Sequence, residues 1–272
     1  MRSPAHYYPA FDKPPFCLAV AGATAVPGPI LIDLMTRLDL TVSANRSVLS
    51  RMVDRGSLVL TREGRVGVYR LAGPLLANFD RIRGGGQSPA WDGRFHTLIH
   101  DIGESQRTTR ERFRAAAMRV GYRVLRPGVL VAPSDHGEAL SEQIHELGVL
   151  TGHLETDAAT AREIAKRAWH LEQAQAEGER LCRDLESALR GVSDVDGLTA
   201  FRQLHKIGRP VIAWTVELGG FPTELLPDHW PGDRVHARLM ELHQHLLPNA
   251  SDFVKGVIAA SPYAQLVEWR RA

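Results

Sequence analysis

The stretch from Thr41 to Leu71, TVSANRSVLSRMVDRGSLVLTREGRVGVYRL, narrows the possible folds most sharply. Thr41 or Ser43 can open a helix, because a short side-chain hydroxyl accepts from the unpaired backbone N–H groups of a first turn. At roughly 100° per residue, Val48, Leu49, Met52 and Val53 fall within about 140° of one another, an apolar stripe that must face inward. The opposite face carries Ser43, Ser47, Ser50, Arg51 and Asp54, flanked by Arg46 and Arg55. Gly56 predicts the end of the helix. Ser57–Leu60 and Val66–Leu71 are β-rich runs around the turn Arg62-Glu63-Gly64-Arg65. Helix, stop and charged hairpin, in that order, predict a winged helix-turn-helix.

Most amphipathic surface helices have a polar outer face, so the helix alone decides little. Charge decides more. From Thr41 to Arg70 there are six arginines (46, 51, 55, 62, 65 and 70), no lysine, and only Asp54 and Glu63 against them. That local excess of four sits in a chain whose formal net charge is +2. Arginine grips phosphates and base edges with two parallel hydrogen bonds, and short hydroxyls allow close approach to a groove. The expected DNA contacts are therefore Ser43, Arg46, Ser47, Ser50, Arg51 and Arg55 on the helix, with Arg62 and Arg65 on the wing. The near-neutral whole excludes a general nucleic-acid coat.

At 272 residues the chain has room for two or three domains. No apolar run approaches the ~18 residues of a membrane span and no signal-peptide pattern opens the chain, so a cytoplasmic protein with no membrane partner is expected. Cys17 and Cys182 are far apart and support neither a disulfide framework nor a cysteine metal site. Pro14–Val26 reads as a first helix, Pro27-Gly28-Pro29 as a turn and Ile30–Leu38 as a second helix. Asp80–Pro89, with Gly84-Gly85-Gly86, reads as a linker. Beyond it, Arg94–Ile102 alternates like a strand and Thr108–Val120 like a helix. Tyr122–Ala132 reads as a strand pair turning at Arg126-Pro127-Gly128, Gly137–Leu147 as a helix and Val149–Leu154 as a strand. That order predicts a ferredoxin-like α/β sandwich. Ala158–Leu189, Gly197–Glu217 and Gly232–Leu247 read as helices. The fold class is thus α+β in three parts: a winged helix (1–83), a ferredoxin-like middle domain (90–157) and a helical C-terminal domain for effector binding or dimerisation (158–272).

Twelve histidines raise the question of a metal, but none has ligand spacing such as HExxH, and no metal or cofactor is expected. No Ser-His-Asp order, P-loop or dinucleotide fingerprint suggests catalysis. An alternative exists in His100-Asp101-Ile102 at a strand end, similar to the metal-dependent, ferredoxin-like nucleases of CRISPR adaptation modules. A single carboxylate makes a poor metal site, so Asp101 reads better as a strand-end or dimer residue. A DNA-binding module without any small-molecule response is the other alternative. LLPDHWPG (Leu225–Gly232) sets Asp228, His229 and Trp230 side by side. Trp230 could stack on a ligand ring, or Leu225, Leu226 and Trp230 could simply anchor a rigid loop.

The helix core NRSVLSRM (Asn45–Met52) with the wing GRVGVYRL (Gly64–Leu71) resembles the N-terminal module of the phenylacetate-degradation repressors, the PaaX family. So do Trp91-Asp92-Gly93, the run from Arg110 through Gly121 and Pro127-Gly128 to Pro133, and above all LLPDHWPG, with His205 about twenty residues upstream. The chain departs from the family pattern over Gly208–Pro227, GRPVIAWTVELGGFPTELLP, where the family carries a basic-aromatic stretch and an Asp-Pro. The resemblance implies a homodimeric bacterial repressor on double-stranded, palindromic operator DNA. Release would follow binding of an aryl-CoA such as phenylacetyl-CoA, with Trp230, His205 and Asp228 as effector contacts. The middle-domain arginines Arg107, Arg110, Arg114, Arg119 and Arg123 could meet the phosphates of such an acyl-CoA.

Overall fold

The computed structural model describes residues 10–83, 90–192, 194–218 and 221–270. They begin with α1 (Lys13–Ala21), β1 (Ala23–Pro27), α2 (Gly28–Thr36), α3 (Val42–Asp54), the hairpin β2 (Leu58–Glu63) and β3 (Val66–Leu71), and α4 (Gly73–Arg83). Next come β4 (Arg94–Ile99), α5 (Arg107–Arg119), β5 (Arg123–Arg126), β6 (Val129–Ala132), α6 (Ser141–Glu146) and β7 (Leu150–Glu155). The remainder is α7 (Ala158–Ala168), α8 (Leu171–Arg190), α9 (Gly197–Glu217), α10 (Gly232–Ala259) and the two-residue strand β8 (Glu268–Trp269). The protein is α+β, with two antiparallel sheets and a C-terminal region that is mostly helical. Among the described residues no helix is long and apolar enough to cross a membrane.

Contacts divide the chain into two compact units, one of residues 10–83, 178–216 and 231–270, the other of 90–177 and 217–230. The segment 158–272, expected as one helical domain, contributes to both. Its apolar faces explain why. Leu181 and Leu185 of α8, Phe201 and Leu204 of α9 and Leu242 of α10 share one core with Leu31 and Leu34 of α2 and Leu49 of α3. Ala161, Ile164 and Ala165 of α7, together with Phe221 and Leu225, pack instead with Phe95 and Val131 of the second sheet.

In the unit that contains α3, the sheet order is β2-β3-β1-β8. Pro14–Val26 is not one helix: α1 ends before Gly22, and Ala25 and Val26 pair in the sheet with Arg70 and Tyr69. An apolar run alone does not separate a buried helix from a buried strand. The chain's end adds a strand that the helical expectation missed, with Glu268 and Trp269 pairing along β1. Buried residues of α10 recur at 235, 239, 242, 246, 250, 254 and 258, one face along the whole helix. The helix continues through Pro248, where an end at Leu247 was expected. Proline removes one backbone hydrogen bond, but Ala250, Val254 and Ile258 beyond it bury side chains in the core, and that burial prevails. Of the expected linker, residues 80–83 close α4, and 84–89 lie outside the described residues.

The other unit has strand order β5-β6-β4-β7, antiparallel throughout. Leu98, Leu130 and Ala132 on one face pack with Phe113 and Ala117 of α5, Tyr122 and Leu140. Phe95 and Val131 on the opposite face meet α7. The expected helix Ala158–Leu189 breaks at Trp169 and His170, where His170 takes φ 52°. Trp169 turns inward there, its ring 5.1 Å from Phe221 and 6.3 Å from Phe95, and ends α7.

Candidate nucleic-acid interface

The turn between α2 and α3 is short, and side chains fix it at both ends. Thr41 Oγ1 accepts from the Ala44 N–H at 3.2 Å, so Thr41 rather than Ser43 is the cap. Val48, Leu49 and Met52 are buried as the stripe requires. Full burial of each contributes roughly 1.5–3 kcal/mol, an upper figure because unfolded chains already hide some surface. Asn45 extends that stripe by one turn and is fully buried. Its Nδ2 donates to Thr36 Oγ1 at 3.0 Å and to the Ile32 carbonyl at 3.3 Å, which ties the first turn of α3 to the end of α2. An apolar pattern misses this residue; the available signal is an amide at the i position of an i, i+3, i+4, i+7 series.

All the helix residues expected to meet DNA are exposed: Ser43, Arg46, Ser47, Ser50, Arg51 and Arg55. The Ser47 hydroxyl donates back to the Ser43 carbonyl at 3.2 Å, and Arg51 Nε donates to the Ser47 carbonyl at 3.1 Å. Arg51 is thereby laid along the helix. The Arg55 guanidinium lies 5.3 Å from the centre of the Phe11 ring. Gly56, at φ 67°, ends the helix, and the N–H groups of Gly56 and Ser57 donate to the Val53 and Met52 carbonyls, each at 2.9 Å.

The hairpin register pairs Glu63 with Val66 and Arg62 with Gly67, so the loop is Gly64-Arg65. Gly64 has φ 63°, the left-handed value that a two-residue hairpin demands at its first central position. Arg62 and Arg65 are exposed at this tip. Arg70 behaves differently. It pairs with Glu268 of β8 through Nε and Nη2, and its Nη1 donates to Thr61 Oγ1 at 2.6 Å. Arg70 holds the Glu268 carboxyl below the usual carboxylate range. Of the six arginines counted above, five therefore remain on this surface against Asp54 and Glu63, an excess of three.

The expected effector residues are divided between the units. His205 on α9 pairs with Asp12 at 2.8 Å, and its ring centre lies 5.0 Å from that of Phe16. Arg209 also reaches Asp12, at 3.4 Å. Asp228 and Trp230 belong to the other unit, where Asp228 is exposed and its carbonyl accepts from Gln175 Nε2 at 3.0 Å, while Trp230 is half-buried. The loop is anchored by Phe221 and Leu225, both in the core, and by Arg162 Nε donating to the Glu224 carbonyl at 3.1 Å. The same unit contains a cavity of about 430 Å³ lined by Leu125, Arg126, Leu154, Thr156, Ile164 and Arg167, among others, and one of about 300 Å³ beside Lys166 and His170. Neither is lined by Asp228 or Trp230. Asp101 is exposed past the end of β4, and among the described residues no three His, Cys, Asp or Glu side chains gather as a metal site would require.

A family model described as "PaaX-like protein" matches residues 19–75, and one described as "PaaX protein central Cas2-like domain" matches 88–170. The "Transcriptional repressor PaaX" of Escherichia coli (strain K12) is 25% identical over 227 residues, covering 77% of this chain and 70% of that relative. Among solved structures, the "Uncharacterized protein Rv0674 from Mycobacterium tuberculosis" aligns over 88% of this chain and 96% of its own, with TM-score 0.53 and 24% identity, a likeness of fold.

Proposed function

The chain belongs to the PaaX family, and on that premise we propose that it is a DNA-binding transcriptional regulator, a repressor released from its operator by an acyl-CoA-type effector. The observation that carries this reading is the outer face of α3: three serines and three arginines exposed together, followed by a hairpin with two exposed arginines at its tip. In this reading, α1 to β3 form a winged helix with α3 as the reading helix. The strand order β5-β6-β4-β7, threaded β-α-β-β-α-β, supports reading the other unit as a ferredoxin-like sandwich. A homodimer would set two copies of α3 into successive major grooves, roughly 34 Å apart on a palindromic site. Ser43, Arg46, Ser47, Ser50, Arg51 and Arg55 then meet bases and flanking phosphates, and Arg62 and Arg65 meet backbone or minor groove.

The effector would be an aryl-CoA such as phenylacetyl-CoA, with Trp230 and Asp228 as contacts in one unit; His205 lies in the other, where it pairs with Asp12. The larger cavity, lined by Leu125, Leu154 and Ile164 together with Arg126, Arg167 and the acid Glu163, is a separate candidate place for an effector of that chemistry, apart from Trp230 and Asp228. The division into 1–83, 90–157 and 158–272 is retained here as a division of roles: reading, middle scaffold, and effector response or dimerisation. The test is fluorescence anisotropy of labelled DNA from the protein's own upstream region, with and without phenylacetyl-CoA. Salt-sensitive, sequence-selective binding that the thioester reverses is the expected result. Selective binding that ignores the thioester would remove this effector class and keep the regulator. Absence of selective binding would sink the reading.

A further inference from the structure

The strongest concentration of charge in the chain is not on the reading helix. Between Arg107 and Arg126 there are seven arginines (107, 110, 112, 114, 119, 123 and 126) against Glu111 alone, an excess of six in a chain of net charge +2. Helix α5 sorts them. Phe113, Ala116 and Ala117 face the core, while Arg107, Arg112, Arg114 and Arg119 are exposed. Among the described residues none of these four makes an ion pair or a side-chain hydrogen bond. Arg110 is occupied by Glu104 at 2.8 Å, and Arg123 is half-buried, donating to the carbonyls of Met118 and Tyr122.

The four exposed arginines form two parallel pairs. Arg107 and Arg114 lie two turns apart on one flank of the exposed face, and Arg112 and Arg119 two turns apart on the other flank, about 140° round the helix at roughly 100° per residue. Each pair spans about 10 Å along the axis, and the two together cover about 18 Å of it.

We propose that α5 is a second contact surface for the phosphate backbone of the DNA this protein binds, resting on the DNA-binding reading above. Two arginine pairs flanking one exposed face over about 18 Å suit an extended polyanion better than a small one, and a duplex presents a charge every ~1.7 Å of its axis. The cations are all arginine, which forks onto phosphate oxygens. The exposed positions between them are Thr108, Glu111 and Ala115, with no amide to read a base edge. Contacts of this kind set affinity and register but do not choose sequence.

The experiment measures dissociation constants against salt concentration for the full-length chain on operator and on random duplexes of equal length. It compares Arg107→Ala/Arg114→Ala, Arg112→Ala/Arg119→Ala, the corresponding lysine pairs and Arg51→Ala. Circular dichroism controls folding, and alanine is a good helix former. Each alanine pair should flatten the log–log salt slope by about 1.8 and weaken both duplexes together, on the order of tenfold or more at 0.1 M salt. The ratio of operator to random affinity should stay unchanged, and the lysine pairs should keep most of the slope. Arg51→Ala should instead lower that ratio, which separates failure of α5 from failure of the reading helix. A folded alanine pair whose slope and affinities match wild type overturns the proposal. So does a pair that alters only the response to phenylacetyl-CoA, because the helix would then serve a small polyanion.

Discussion

Asn45 offers the sharpest test of how α3 is held. It is fully buried, donates two hydrogen bonds to α2 and leaves its Oδ1 with no partner. Two neutral hydrogen bonds contribute about 1 kcal/mol each, whereas an orphaned buried acceptor costs about 1–3 kcal/mol where it stands. Asn45→Leu removes the bonds and the orphan together at similar volume, so it should stay within about 1 kcal/mol of wild type. Asn45→Asp does the reverse. It replaces the donating amide with a second oxygen facing Ile32 O and Thr36 Oγ1, and buries a charge without a cation. That substitution should cost about 3–5 kcal/mol. Native-state hydrogen exchange at the amides of Val48 to Met52 reads the local opening free energy directly. At 1.4 kcal/mol per decade, the aspartate should exchange about a hundredfold or more faster than wild type, and the leucine within about tenfold. If the aspartate were as protected as wild type, or the leucine as exposed as the aspartate, the account of this tether would be refuted. A leucine variant that is stable yet weak on operator would further show that the tether sets the angle of α3 as well as its stability.

Other outcomes follow from the same contacts. Arg51→Ala should weaken specific operator binding by about 1–3 kcal/mol in an anisotropy titration, and unchanged affinity would remove Arg51 from the site. Arg65→Ala at the wing tip should reduce operator and random binding alike and flatten the salt slope by about 0.9. Trp230→Ala should abolish release by the effector while leaving DNA affinity intact; a protein that no longer folds would make Trp230 an anchor instead. In the second unit, burial pushes the His96 and His136 imidazoles below their usual value near 6.5. The Tyr122 hydroxyl lies 2.5 Å from His96 Nδ1 and accepts from the His136 backbone N–H at 3.4 Å. Groups whose folded pKa is depressed give stability that is present above the unfolded pKa and lost as pH falls. This unit should therefore weaken below about pH 6.5 and not above it, and His96→Gln should flatten that dependence in urea unfolding at pH 5 against pH 8.

Short-range chemistry made α3 and the hairpin after it visible in the sequence. A hydroxyl cap at Thr41, the stripe Val48-Leu49-Met52, a glycine stop at Gly56 and a glycine turn at Gly64 each act within a few residues, and each stands where local physics puts it. The alternating strands and intervening helices between Arg94 and Glu155 were legible for the same reason. What escaped depends on distant partners. Ala23–Pro27 is a strand because Arg70 and Tyr69 pair beside it, and Arg70 drops out of the local charge excess because Glu268, 198 residues further on, pairs with it. α10 crosses Pro248 because the core rewards its continuation.

The candidate surfaces follow the same division. Exposure of Arg46, Ser47, Ser50 and Arg51 could be read from helical phase alone, since a residue opposite a buried stripe has nowhere else to point. The role of Asn45 could not, because an amide in a core position is explained only by the acceptors it meets on α2. The arginines of α5 fall between these cases. Their phase was visible, but whether each guanidinium is engaged by an acid depends on tertiary neighbours. Glu104 occupies Arg110, and none of the described acids occupies Arg107, Arg112, Arg114 or Arg119. Composition puts an excess of six charges on one short segment, and the fold decides which of them face solvent with that charge uncompensated. A net charge of +2 over the whole chain therefore conceals two separate basic surfaces, offset by acids elsewhere, and only surfaces of that kind can hold a polyanion at physiological salt.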